Sequence, residues 1–316
     1  MVRRLALWLI SGLTWVGFCS LRLAERVLPH TVLRALLWLP AAAWGLAELR
    51  WRRLAASWRR FPDAWRPEPI PYALRRILGH PHARLVYAWP DRLRSPRWSS
   101  RCRVVGSEYL KQLRDKDRTV ILASLHFGPF ETLPYWLRAH GVAATTLLGR
   151  PHALENLKRR QYALSPPANV PVFLPVRHLP RIREFLGPGG RPLVMVDVNR
   201  GKQVDAPFDN YLFRMATGAI RLAAMAEAEL IPCLIIETAS WQFTLHFGTP
   251  VPKRYLGQSL DVNAAAAHLL DQFLKVVPLY PEQCGRRLLS CISRAPADEV
   301  AQPPVEIAIA KPGQRF

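Results

Sequence analysis

The sequence predicts an α/β domain, a mostly parallel sheet flanked by helices, preceded by an N-terminal membrane-anchoring helical segment. Three observations lead there. From about Arg103 onward, short apolar runs rich in β-branched residues alternate with helical patterns, as in layered domains built on a parallel sheet. One of these runs, Thr119 to Leu125, stops abruptly and is followed by Gly128-Pro129, a pair that ends a strand and opens a helix. At the N-terminus, Met1-Val2-Arg3-Arg4 leads into an uncharged apolar stretch, Leu5 to Leu21.

As a helix, Leu5–Leu21 covers about 26 Å, near the lower limit for crossing a bilayer. A secretory signal is the rival reading, but no small-x-small cleavage site follows. Ala35–Ala47 is a second apolar run, broken by Pro40 and too short to span; it reads as re-entrant or interfacial, with a pair of core-packing helices as the alternative. Arg50-Trp51-Arg52-Arg53 and Trp58-Arg59-Arg60 suit a headgroup layer, with Trp at the interface and Arg on phosphates. Residues 1–66 are therefore expected to form the anchoring segment, with Arg3 and Arg4 keeping the N-terminus cytoplasmic. Pro67 to Pro71 is a break, and Tyr72–Trp98 is partly helical and again basic, carries Trp89 and Trp98, and is interrupted by Pro81, Pro90 and Pro96. The α/β domain is placed at 67–294, and Ala295–Phe316, with several prolines and little periodicity, is read as a mobile tail.

Within the domain the expected strands are Val120–Leu125, Ala143–Leu148, Val170–Val176, Pro192–Val198, Leu230–Glu237 and Gln242–Phe247. The expected helices are Phe130–His140, Leu154–Ala163, Leu179–Leu186, Thr217–Glu229 and Val262–Val277, with Thr217 a candidate N-cap.

The chain has 316 residues, 50% of them hydrophobic, enough for one large core or two small ones. A net charge of +21 implies an anionic partner, and 11 Trp beside a hydrophobic N-terminus favour a membrane surface over nucleic acid. No helix-turn-helix, zinc-finger or RNA-binding aromatic signature is present. The five cysteines are scattered with no C-x-x-C, which excludes a disulfide framework or structural zinc site as the organising principle.

The strongest chemical signal is His126-Phe127-Gly128-Pro129-Phe130-Glu131. It puts His126 at a strand tip and Glu131 in the first turn of the next helix. On one continuous helix the two side chains would be roughly 140° apart, so they meet only if the Gly-Pro pair bends the chain. A carboxylate in a first turn is favoured by the helix dipole. It can accept a proton from one imidazole nitrogen and leave the other as a general base. A half-buried His beside a helix-capping Glu gives the same spacing. Arg150, after the next strand, sits where α/β sheets bind ligands and is suited to clamping a phosphate or carboxylate; it is also one more Arg in an Arg-rich chain, and Arg159 and Arg160 share that ambiguity. Asp197 and Asn199 stand near a strand end before Gly201, as active-site polar groups do and as turn formers also do.

Taken together, Val105-Gly106-Ser107-Glu108, the His126–Glu131 block, Arg150-Pro151, the Asp197 block, Ala206-Pro207-Phe208 with Thr217-Gly218, and Tyr280-Pro281-Glu282-Gln283 resemble the bacterial lipid A biosynthesis (lauroyl and myristoyl) acyltransferases of the lysophospholipid acyltransferase superfamily. The resemblance runs from about Arg103 to Gln283 and implies the glycerolipid acyltransferase α/β fold. The implied chemistry is transfer of a fatty acyl chain from acyl carrier protein or coenzyme A to a hydroxyl of a lipid A-type or other glycolipid or phospholipid acceptor. It needs no cofactor and no metal. His126, oriented by Glu131, would be the general base; backbone N–H groups near Gly128 would hold the oxyanion; Arg150 would hold acceptor phosphate, with Arg159 or Arg160 standing in for the arginine expected in the following helix; Asp197 would order the site. The expected location is the cytoplasmic side of a bacterial inner membrane. Where the family carries aromatics and a His-Arg-Arg run after Pro-Glu-Gln, this chain has Cys284-Gly285-Arg286-Arg287. That departure leaves a second reading open, a non-catalytic lipid-binding or scaffold protein that keeps the fold.

Overall fold

The computed structural model describes residues 16–17, 19–48, 51–79, 92–115, 117–148, 172–175 and 190–296, together with Ala83, Leu85 and Trp89. The expected helices 154–163 and 179–186, most of the Leu5–Leu21 run and nearly all of the expected tail lie outside these residues.

After helical residues 19–27 come α1 (His30–Leu36), α2 (Trp38–Glu48), α3 (Trp51–Trp58), α4 (Pro69–Leu74) and α5 (Pro96–Ser99). Then follow β1 (Cys102–Val105), α6 (Ser107–Arg114), β2 (Val120–Ser124), α7 (Leu133–Ala139), β3 (Thr145–Leu148), β4 (Val172–Pro175) and β5 (Pro192–Met195). A hairpin, β6 (Gln203–Phe208) and β7 (Tyr211–Ala216), leads to α8 (Gly218–Met225), β8 (Glu229–Ala239) and β9 (Gln242–Phe247). The described chain closes with α9 (Lys253–Leu256), α10 (Val262–Leu274), α11 (Arg286–Ser290) and β10 (Ile292–Arg294).

Seven strands form one sheet in the order β1-β9-β8-β2-β5-β3-β4. Every neighbouring pair is parallel except β8 and β9, which form an antiparallel hairpin. The middle strand is β2, and all five of its residues are buried. Its side chains alternate between two cores. Val120 and Leu122 pack with Trp136, Leu137 and Phe243, while Ile121 and Ala123 pack with Ile220, Leu269 and Phe273. A central parallel strand covered on both faces needs an unbroken apolar run, which is what made β2 legible.

A second sheet, β10-β7-β6, is antiparallel and was not expected. Pro207 argues against a central strand, but β6 is an edge strand, where a residue without an N–H is tolerated. The helix expected to run to Glu229 ends at Met225, because Glu227 takes a left-handed φ of 50° and β8 begins at Glu229. Thr217 does not cap α8 with its side chain. Its hydroxyl instead donates to the Lys202 carbonyl at 3.0 Å and accepts from Arg221 Nε at 3.1 Å. Pro134 and Pro40 both fall in first turns, of α7 and α2, where they break no helical hydrogen bond. Asp261 caps α10 by accepting from the Ala264 N–H at 2.9 Å.

Two tryptophans before β1 belong to the core. Trp89 and Trp98 are fully buried, stack at 5.1 Å, and each lies 5.5 Å from Trp241. Trp98 Nε1 donates to Glu25 Oε1 at 2.9 Å, and Trp58 Nε1 donates to the Pro67 carbonyl at 2.8 Å. Trp89 and Trp98 thus fasten the segment before β1 to the sheet as core anchors. Among the described residues no helix is long and apolar enough to cross a membrane.

His30 belongs to the same aromatic cluster, 4.6 Å from Trp98, and neither ring nitrogen has a hydrogen-bond partner among the described residues. Burial, then the charges of Arg101, Arg97 and Arg34, push its pKa from the ordinary 6.5 to about 4. The folded value lies below the unfolded one, so the unfolded chain takes up the proton first. Stability is therefore lost as pH falls from about 6.5 to about 4, with a slope of at most about 1.4 kcal/mol per pH unit. Melting temperature against pH should fall more steeply in this window for the wild type than for His30→Leu; equal slopes would contradict this.

Candidate active site

The parallel register brings the two central polar residues together. Ser124 pairs with Met195, so the chain leaving β2 at Leu125-His126 runs beside the chain leaving β5 at Val196-Asp197, at the carboxyl edge of the sheet. The Val196 N–H donates to the Ser124 carbonyl at 2.9 Å and continues the ladder to the last step before the two side chains. Asp197 is buried and receives the His126 backbone N–H on both oxygens, at 3.0 and 2.9 Å. The same carboxylate lies 2.8 Å from His126 Nδ1.

The other ring nitrogen faces a cation. Arg287 Nη1 is 3.0 Å from His126 Nε2. A guanidinium has donors only, so Nε2 must present its lone pair and the proton sits on Nδ1, where Asp197 accepts it. Two independent neighbours thus select one tautomer, the one in which Nε2 is free to act as a base once Arg287 moves. Phe130 packs edge-on against the ring at 4.6 Å and limits its rotation.

This arrangement corrects one expectation and narrows another. The ring is held by Asp197 and not by Glu131: both nitrogens of His126 are taken by other groups, and Glu131 sits in the 3₁₀ turn Phe130–Thr132 that precedes α7. Of the backbone N–H groups near Gly128 expected to hold an oxyanion, that of Gly128 itself is taken: it donates to the Gln283 carbonyl at 3.1 Å. Its glycine identity has a different cause. It takes φ +58°, and a Cβ there would lie 2.6 Å from the Ile235 carbonyl oxygen.

The Pro281-Glu282-Gln283 segment holds this loop in place. Gln283 accepts the Glu237 N–H at 3.1 Å and donates to the Glu237 carbonyl at 2.9 Å, while its own carbonyl holds Gly128. Phe127 bridges Cys284, and Gly285 passes so close that a Cβ would lie 3.1 Å from the His126 carbonyl. That close approach delivers α11, and with it Arg287, to the imidazole. Glu237 is pushed by burial up to about 7, while its carboxyl is held by Arg75 and the Trp241 N–H. Gln283→Ala removes both side-chain bonds to a buried backbone. It should lower stability by about 1–3 kcal/mol, read as a lower melting temperature, with a loss of activity as the His126 loop loosens.

Asn199 stands on the same rim as Asp197, exposed, and accepts from Cys291 Sγ at 3.6 Å. Arg150, Arg159 and Arg160 lie outside the described residues. Burial raises the Cys291 thiol to about 11 and the Cys284 thiol well above its ordinary value, so neither neighbour supplies a thiolate. Among the described residues no three His, Cys, Asp or Glu side chains gather as a metal site.

A family model described as bacterial lipid A biosynthesis acyltransferase matches residues 85–284. The chain belongs to this family. No curated protein matches it closely enough to count as a relative. The match takes in His126, Glu131, Asp197 and Gln283 of this lipid A acyltransferase-family chain, and ends just before Arg287. Family membership supports acyltransferase chemistry at the site. Arg286-Arg287 stands in the sequence where the resembled family carries a His-Arg-Arg run, but that Arg287 reaches the His126 ring depends on the fold and not on that spacing.

Proposed function

We propose that the protein is a membrane-associated O-acyltransferase that moves a fatty acyl chain from an acyl thioester to a hydroxyl of a lipid A-type or other glycolipid or phospholipid acceptor. The observation that carries this reading is the fixed tautomer of His126 at the carboxyl edge of the sheet, in a chain of this family. Nε2 takes the proton of the acceptor hydroxyl as its oxygen attacks the thioester carbonyl. The C–O bond forms, the C–S bond breaks, and the leaving thiolate takes the proton back from Nε2. Asp197 stabilises the imidazolium between these steps. No acyl-enzyme is required, in keeping with raised rather than lowered thiols beside the site.

Substrate contacts are assigned to Arg150, Arg159, Arg160 and Asn199, and Glu131 is assigned to the acceptor side of the site, since the ring is already held by Asp197. Membrane association is supported by exposed apolar side chains on the N-terminal helices, among them Leu23, Val27, Leu36, Leu39 and Ile70. We place the domain on the cytoplasmic face of a bacterial inner membrane. A net charge of +21 favours acidic acyl carrier protein over coenzyme A as donor.

The test is mass spectrometry of total lipids with and without the gene, followed by transfer assays with purified protein and both donors at rising ionic strength. Loss of one acyl chain from a lipid class, and a rate with carrier protein that falls with salt, is expected. An unchanged lipid profile and no transfer from either donor would overturn the reading in favour of a non-catalytic lipid-binding protein.

A further inference from the structure

We propose that Arg287 caps the general base in the substrate-free protein and is drawn off His126 by a phosphate group of a substrate. The proposal rests on the reading of His126 as the base. Its geometry is local: Arg287 Nη1 occupies, at 3.0 Å, the Nε2 position that an acceptor hydroxyl must take to lose its proton. Base and cap cannot both be satisfied when the hydroxyl arrives, so the guanidinium has to leave.

Two observations say where it goes. Arg287 is exposed on α11 and is free to swing on its own side-chain torsions. Among the described residues its charge also meets no carboxylate at ion-pair distance; its one side-chain hydrogen bond is to the His126 Nε2 lone pair. A guanidinium prefers a planar, bidentate anion to a single imidazole nitrogen, and phosphate offers that geometry. Gly285 and the Phe127–Cys284 bridge hold the backbone of this segment against the His126 loop, so the side chain can move while its anchor stays. The phosphate comes either from the acceptor lipid or from the pantetheine arm of the donor, and the capped state keeps His126 from activating water until that phosphate is bound.

The experiment is the rate of His126 carbethoxylation by diethyl pyrocarbonate, read by peptide mass spectrometry on the full chain in detergent. This reagent needs the Nε2 lone pair and no acyl transfer, so its outcome stands apart from the fate of the functional reading. In Arg287→Met, which keeps the aliphatic stem, the rate should rise about 10- to 100-fold, the weight of a charge-assisted hydrogen bond on that nitrogen. Arg286→Met, the same charge loss one residue away, should react as the wild type does. Added 4′-phosphopantetheine or dihexanoyl phosphatidate should speed the wild type toward the Arg287→Met rate and leave that variant unchanged. Acceleration by the first assigns the trigger to the donor, and by the second to the acceptor. Arg287→Lys, which keeps a charge but only a single-point donor, should fall between the two and serves if the Met variant does not fold. Equal modification rates in the wild type and both Arg287 variants, or no acceleration by either phosphate, would overturn the proposal. Absence of acyl transfer with uncapping intact would overturn only the proposed function.

Discussion

Asp197→Asn is expected to lower acyl transfer by about 10³- to 10⁴-fold with the fold retained. The reason is the tautomer. An amide in place of the carboxylate can turn its NH₂ toward His126 Nδ1, which then accepts, and the proton moves to Nε2, where the base is needed. The imidazolium formed during the reaction also loses its counter-charge. The carboxylate further receives the His126 backbone N–H at 2.9 and 3.0 Å, a bond that the amide oxygen of Asn can keep. Asp197→Ala is expected to lose that bond as well and to be less stable by about 1–3 kcal/mol. The assay is initial-rate transfer with saturating donor on variants whose melting temperatures are followed in parallel. A folded Asp197→Asn enzyme near the wild-type rate would mean that the carboxylate is structural only.

The second large effect is at His126 itself. His126→Ala removes the proton-transfer contribution, roughly 10²- to 10⁴-fold in rate. Its loss and that of Asp197→Asn should not add, because both residues act through one proton transfer, so the double variant should resemble His126→Ala. Losses that multiply would show that Asp197 works through another group. A folded His126→Ala protein with undiminished transfer would remove the proposed mechanism and leave the fold and family untouched.

The strand–turn–helix around His126 was legible because local chemistry writes it: an apolar run buried on both faces, a Gly-Pro stop, and a proline tolerated in the first turn of α7. The partner of His126 is not. Which carboxylate reaches the ring depends on β5 lying beside β2, a choice of strand order that no spacing encodes, and the nearer carboxylate in sequence, Glu131, took the role on paper. The same holds for the Gly128 N–H, which a segment far along the chain claims. The burial of Trp89 and Trp98 was not legible for a related reason. A Trp among arginines suits both a headgroup layer and a buried cluster, and only the packing against Trp241 decides between them.

The most direct measurement of the central claim, that Asp197 fixes His126 as a base with its lone pair on Nε2, is the ¹⁵N spectrum of the ring in ¹⁵N-histidine-labelled protein, assigned by the signal lost in His126→Gln. A protonated Nδ1 and a bare Nε2 are expected in the wild type, with the same pattern in Glu131→Ala and its loss in Asp197→Asn. A ring unchanged by Asp197→Asn but altered by Glu131→Ala would contradict it and return the orienting role to Glu131.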